Sequence, residues 1–387
     1  ANMDGTDWGR ITHRYASLLP LVGSRDDLNY ILTEMLGELA SSHIFLYGAE
    51  DLSPAVAKAS LLGAGYEVDP ASGRYRIATI YPGDNSRPHY RSPLTEPGQT
   101  VQVGEFLLAI NGNELLSPVT PDELLAGVSG SVSLTVAPSA SGPRRTVHVT
   151  PLRSEFAVRE SAWIQEHQNM AAVLSAGKVG YVYLSDFSDY GTEQFLRQFY
   201  SQTDKQALVV DVRWNGGGDT SQWVLERLRR TLQGGFRRRN GSVDILPDGL
   251  LSGPKVCITN ASTASDGDQF AYYFKLDKLG AVFGERTWGG VRGVGSGFAL
   301  LDGSFVTIPH DALFDAHGKW IIENQGVAPD QSVIEMPEDN AFHRDRAFDD
   351  AVTFLNATLL SASQRSPVPS PPPAYPALGQ PGPVQVQ

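Results

Sequence analysis

Residues 207–218 read Ala-Leu-Val-Val-Asp-Val-Arg-Trp-Asn-Gly-Gly-Gly. An apolar run of this length is covered on both faces, which is the pattern of a central parallel strand. The three glycines that follow let the chain turn and bring bare backbone N–H groups close to a ligand. No Lys-Ser/Thr pair comes after them, which argues against a phosphate-binding loop. Two readings of the turn stay open. It is one half of a pocket for a developing negative charge, or it is a plain strand-to-helix connection in which Thr220 or Ser221 caps the helix carrying Trp223, Val224, Leu225 and Leu228.

Comparable strands are expected at Val179–Leu184, Lys255–Thr259 and Ala281–Gly284, alternating with helices near 192–201, 221–232, 266–278 and 343–360. This is the α/β class, in which ligands collect beyond the carboxyl ends of the strands. Directly after the third strand comes Asn260-Ala-Ser-Thr-Ala-Ser265-Asp-Gly-Asp268. Ser265 thus sits on a strand-to-helix turn, where the helix N-terminus supplies outward N–H groups and a partial positive charge, and an oxyanion beside it needs no metal. A serine in that position more commonly caps its helix.

A serine nucleophile needs a base, and His43 is the candidate. It follows a well-specified helix near 26–40, opened by the capping-box form Ser24-Arg-Asp-Asp27, with Leu28, Ile31, Leu32, Met35, Leu36 and Leu39 along one face. By itself an isolated histidine is more often structural, a neighbouring Ser42 more often caps a helix end, and Glu323 in Ile-Ile-Glu-Asn-Gln-Gly is more often a surface charge.

Read together and in order, these segments resemble the tricorn protease family, relatives of the C-terminal processing proteases. The landmarks are Trp8-Gly-Arg-Ile-Thr-His-Arg-Tyr15, Arg25-Asp-Asp-Leu-Asn-Tyr30, Glu34-Met-Leu-Gly-Glu-Leu39 with Ser42-His43, and Arg91-Ser-Pro-Leu-Thr-Glu-Pro-Gly98. They continue with Val179-Gly-Tyr-Val-Tyr183, Asn215-Gly-Gly-Gly218, Ser265-Asp-Gly-Asp268, Arg286-Thr-Trp-Gly-Gly290 and Glu323-Asn-Gln-Gly-Val-Ala-Pro-Asp330. The resemblance implies a catalytic core like those of Clp-type peptidases and crotonases, with an inserted PDZ-like β domain and an N-terminal helical cap. It implies Ser265 as nucleophile, His43 as general base, and Ser42 and Glu323 completing a tetrad in which the glutamate holds the relay serine. The oxyanion donors would be the backbone N–H of Asp266 and one from the glycine run, Gly216 or Gly217. No cofactor is implied; oligopeptide substrates, a homohexameric ring and a cytoplasmic setting are. Family members carry two β-propeller domains ahead of this point, and no blade repeats are visible here. The chain is therefore expected to be a fragment or processed product, or a member without them. A crotonase-type acyl-CoA enzyme and a non-catalytic binding protein on the same scaffold are the rival readings.

The 387 residues are expected to divide into a cap carrying the base (1–58), a PDZ-like domain (59–153), the core (154–362) and a Pro-rich, disordered tail (363–387). A second short helix is expected at Ser53–Leu62. In the PDZ-like part, strands are expected at Tyr75–Ile80, Phe106–Ile110, Ser131–Ala137 and Thr146–Pro151, with Leu62-Gly-Ala-Gly65 as a candidate carboxylate-binding loop. A net charge of −12 argues against a nucleic-acid partner, and no stretch of 18 apolar residues suggests a membrane span. The lone Cys257, in an apolar strand, reads as a packed thiol. Arg229, Arg230 and Arg237 to Arg239 form the densest basic cluster, solvated or facing an acidic substrate group. Gly289-Gly-Val-Arg-Gly-Val-Gly295 reads as a flexible loop at the site.

Overall fold

The computed structural model describes residues 5–48, 60–239 and 242–361. Two compact units divide these residues, one within the spans 1–47, 171–300 and 305–387, the other within 48–170 and 301–304. The Pro-rich segment lies outside the described residues, as does most of the helix expected at Ser53–Leu62. The described part of the latter is extended, with Leu61 bridging Leu152.

The first unit is built on a five-stranded parallel sheet in which Val179–Tyr183, Ala207–Asp211, Lys255–Thr259, Gly280–Gly284 and Gln331–Ser332 follow one another in sequence order. Every residue of the first three strands is buried. On one face Val182, Leu208, Val210, Cys257 and Val282 pack against Phe195, Phe199, Val224, Leu225, Phe270 and Phe274 of the connecting helices. On the other, helix Arg346–Ser361 lays Phe348 against Tyr181 and Phe354 against Phe283. Helices on both faces account for the missing period-two alternation. Asp211, the one charge in its strand, is paired with the buried Arg213, which also pairs with Asp345 and Glu335, and accepts a hydrogen bond from the Tyr181 hydroxyl at 2.9 Å.

The helix foreseen near 343–360 forms as Arg346–Ser361, with an unforeseen short helix, Pro337–Ala341, before it. The 19-residue helix Phe156–Leu174 was not anticipated. The basic cluster is largely paired internally: Arg238 with Asp244 on the hairpin Gly234–Arg237/Val243–Leu246, Arg230 with Glu226, and Arg229 with Asp277.

The N-terminal helices Trp8–Ala16 and Arg25–Gly37 belong to the same unit as the sheet. The capping box at Ser24 and Asp27 forms as read, but the apolar stripe is only half-buried along its length. Beyond this helix the chain joins a small antiparallel sheet, with Leu46–Tyr47 beside Phe305–Pro309 and then Val294–Ala299.

The second unit is an antiparallel sheet in the order Ala64–Val68, Tyr75–Ile80, Phe106–Ile110, Val132–Ala137, Arg145–Val149. Its core gathers Ile77, Leu107, Ile110, Leu134 and Val136 around the short helix Pro121–Leu125. The candidate carboxylate loop is already engaged from within, because the Gly63 amide donates to the buried Glu155 carboxylate at 2.7 Å. No helix among the described residues is long and apolar enough to cross a membrane.

Candidate active site

Ser265 holds the N-cap position of helix Asp266–Leu276, yet its side chain makes no capping bond. Its backbone sits at φ 57°, ψ −117°, a region a serine rarely occupies, and the turn is held there by neighbours on both sides. The Ala264 amide donates to the Asn215 carbonyl at 2.8 Å, and the Thr263 hydroxyl donates to the Val212 carbonyl at 2.8 Å. The hydroxyl of Ser265 is thereby left free of its helix and stands 3.1 Å from His43 Nε2.

His43 reaches this point from the other end of the chain, 222 residues away. Its backbone is pinned by Thr307, whose hydroxyl donates to the His43 carbonyl at 2.6 Å and accepts from the Phe45 amide at 2.7 Å. The ring is half-buried against Trp288, with centroids 5.3 Å apart, and Phe45, at 6.2 Å. Burial pulls its pKa below the ordinary 6.5, against an opposing pull from Glu323 and Asp311. A neutral imidazole at neutral pH is what a proton acceptor requires.

On the far side of the ring, Nδ1 lies 3.1 Å from Ser42 Oγ, and that hydroxyl donates to Glu323 Oε2 at 3.0 Å. Glu323 Oε1 also accepts the Ser42 amide at 2.7 Å. The carboxylate is fixed further by the amides of Val291 and Arg292, at 2.9 and 3.2 Å. The structure therefore brings Ser265, His43, Ser42 and Glu323 into one hydrogen-bonded line.

The glycine run packs directly on the serine. A Cβ added to Gly217 would lie 2.5 Å from Ser265 Cβ, 2.9 Å from the Asp266 nitrogen and 3.0 Å from Ser265 Oγ, and its φ is +97°. Only glycine fits. Of the two amides singled out from sequence, that of Gly217 donates to Asn215 Oδ1 at 2.9 Å and that of Gly216 is directed to the Ser185 carbonyl at 3.4 Å. Among the described residues the Gly218 and Asp266 amides have no acceptor. Fully buried Asn215, which also donates to the Leu184 carbonyl at 3.0 Å, fastens the run to the sheet.

Neither expected cap of helix Ser221–Leu228 forms: Thr220 makes no side-chain cap bond, and Ser221 instead donates its amide and hydroxyl to the Asp266 carboxylate. That carboxylate joins the starts of two helices, and burial raises its pKa. Asn215, Asp268 and Thr307 were not singled out from sequence. A faint signal exists for Asp268, since Ser265-x-x-Asp268 has the capping-box spacing.

Comparison with known proteins bears on this arrangement. Residues 1–37 match the tricorn protease C1 domain, 60–154 the tricorn protease PDZ domain and 178–333 peptidase family S41. The chain is 37% identical over 374 residues to tricorn protease homolog 1 of Streptomyces coelicolor, covering 96% of this chain and 34% of that protein. The crystal structure of the tricorn protease superposes with a TM-score of 0.83 at 30% identity, over 91% of this chain and 34% of the other. The chain belongs to the tricorn protease family. Tricorn protease of Thermoplasma volcanium is 30% identical over 350 residues, 90% of this chain and 34% of the relative. This tricorn-family chain spans about a third of the length of the curated relatives it matches.

Proposed function

We propose that this chain is a serine peptidase acting on oligopeptides. The observation that carries the reading is the uncapped Ser265 hydroxyl, 3.1 Å from the Nε2 of a histidine whose other nitrogen is backed by Ser42 and Glu323. His43 takes the hydroxyl proton as Ser265 Oγ attacks the scissile carbonyl. The resulting imidazolium is steadied through the neutral Ser42 by the Glu323 carboxylate. The tetrahedral oxyanion is held by the Asp266 amide, at a helix N-terminus, and by Gly218, in place of the Gly216 or Gly217 expected from sequence. His43 then returns the proton to the leaving amine, and water activated by the same ring frees the acyl-enzyme. A non-catalytic carrier on this scaffold has no use for such a contact.

In this reading residues 1–58 supply the base, 154–362 the nucleophile and 59–153 a PDZ-like module that gathers extended peptide ends. The homohexamer and cytoplasmic setting implied by the family belong to the same proposal, and sedimentation of the chain at micromolar concentration tests the former. A fluorophosphonate probe tests the chemistry: the native chain is labelled and Ser265→Ala is not. Equal labelling of both would remove Ser265 from the mechanism.

A further inference from the structure

The loop after Trp288, which reads from sequence as flexible, is held at five consecutive amides. Gly289 and Gly290 donate to Asp268 at 2.8 and 3.4 Å. Val291 donates to Glu323 at 2.9 Å, and Arg292 donates to Glu323 and to Ser42 Oγ, both at 3.2 Å. Gly293 donates to Asp311 at 2.7 Å. One stretch of backbone thus grips three carboxylates and the relay hydroxyl.

Asp268 is the member that shares a helix start with the nucleophile. It lies on the first turn of helix Asp266–Leu276 and is fully buried. The two glycine amides bind its carboxylate, and its backbone belongs to the first turn of the helix that Ser265 opens. Asp268 touches neither His43 nor Ser265 Oγ. Its carboxylate joins the strained serine turn to the loop that fixes Glu323 and Ser42.

We infer that Asp268 is a positioning residue, which in its ionised form holds the loop Gly289–Gly293 and the Ser265 turn together and so keeps Ser42 and Glu323 in line with His43. This deepens the hydrolase reading and rests on it. The groups hydrogen-bonded to the carboxylate are donors, the Gly289 and Gly290 amides. The nearby charged or titratable groups are Asp266 on its own helix, His43 beyond Ser265, and Glu323, Arg292 and Asp311 along the loop. Burial pushes the Asp268 carboxyl up to about 6 against those donors. Protonation removes acceptor capacity from two glycine amides of the loop.

The test is the acid limb of kcat/KM on a pool of fluorogenic peptide amides, with fluorophosphonate labelling rates beside it. The native chain loses activity over two protonations, His43 and Asp268, so log kcat/KM falls with a slope near two at low pH. In Asp268→Asn the limb falls with a slope of one, and at pH 8 kcat and the labelling rate drop by roughly 10- to 100-fold with KM nearly unchanged, the scale of a misplaced catalytic group. Asp268→Glu keeps an ionisable carboxyl and so keeps the slope near two. Near-UV circular dichroism checks that each variant is folded. If the native limb has a slope of one, the positioning role is overturned, whatever the fate of Asp268→Asn. If the native chain takes no probe at any pH, the hydrolase reading fails, and this inference with it.

Discussion

Among the described residues of the same unit two histidines meet a serine hydroxyl at Nε2, and only one of these pairs has the makings of a catalytic site. Ser296 Oγ is hydrogen-bonded to His310 Nε2 on the small antiparallel sheet, as Ser265 is to His43. Both members of the first pair are exposed. Ser296 lies in the strand Val294–Ala299 beside a register shift, away from any helix N-terminus, and among the described residues nothing is hydrogen-bonded to His310 Nδ1. The second pair has a half-buried ring, a relay to a carboxylate, a strained backbone at the serine and two unengaged amides beside it. Contact between a hydroxyl and an imidazole is therefore not what makes a nucleophile. Desolvation, a fixed tautomer and a place for the oxyanion are.

The contrast is broken most directly by removing each pair in turn. Ser265→Ala or His43→Ala should lower peptidase kcat/KM by at least about 10⁴-fold, the scale seen when such a unit loses a member, whereas Ser296→Ala and His310→Ala should leave it within about two-fold. Activity that follows His310 instead would reverse the assignment. Next in size is Gly217→Ala. Its added carbon would press on Ser265 at 2.5 Å and disturb the adjoining amides, so kcat should drop by roughly 10²–10³, comparable to loss of an oxyanion donor. Steady-state kinetics on a variant with unchanged circular dichroism decides this. Glu323→Gln keeps the shape of the relay and removes its charge; a fall of about 10–100-fold in kcat, with little change in KM, is expected. The smallest effect is one of pH. Burial lowers the His43 pKa, so the protonation assigned to it in the kcat/KM profile should fall below 6.5. His43 must be neutral to accept a proton, so activity rises with pH through that point. A limb above 6.5 that shifts downward in Glu323→Gln would mean the carboxylate outweighs burial.

The parallel strands were legible because a strand covered by helices on both faces is apolar at every position, a pattern local in sequence. The same holds for the Ser24–Asp27 capping box and for Phe106–Ile110 before its Asn-Gly turn. Helix Phe156–Leu174 was harder to see, because its hydrophobic residues do not collect on one clean face. In the site, the ordered motifs around Ser42-His43, Ser265 and Glu323 carried the assignment, and spacing alone carried none of it. The glycine run was legible as a close approach, but its free amide was not. Which N–H is left over depends on Asn215 folding back on Gly217 and on Ser185 facing Gly216.

From sequence alone came the architecture and the stations of the chemistry: a buried parallel sheet, a serine at a helix start, a glycine run at a strand end and a histidine past a capped helix. The sheet, the glycine turn and the helix start follow from periodicity, glycine's backbone freedom and helix-end chemistry, all of which act over a few residues, and the choice of that serine and histidine from the ordered family motifs. Tertiary structure alone decided that Ser265 leaves its cap for an imidazole 222 residues away, that Gly218 is the unengaged amide of its run, and that five amides of one loop bind three carboxylates. Hydrogen-bond partners chosen across such distances are set by where the packed sheet and helices place the backbone, and no local pattern records that choice.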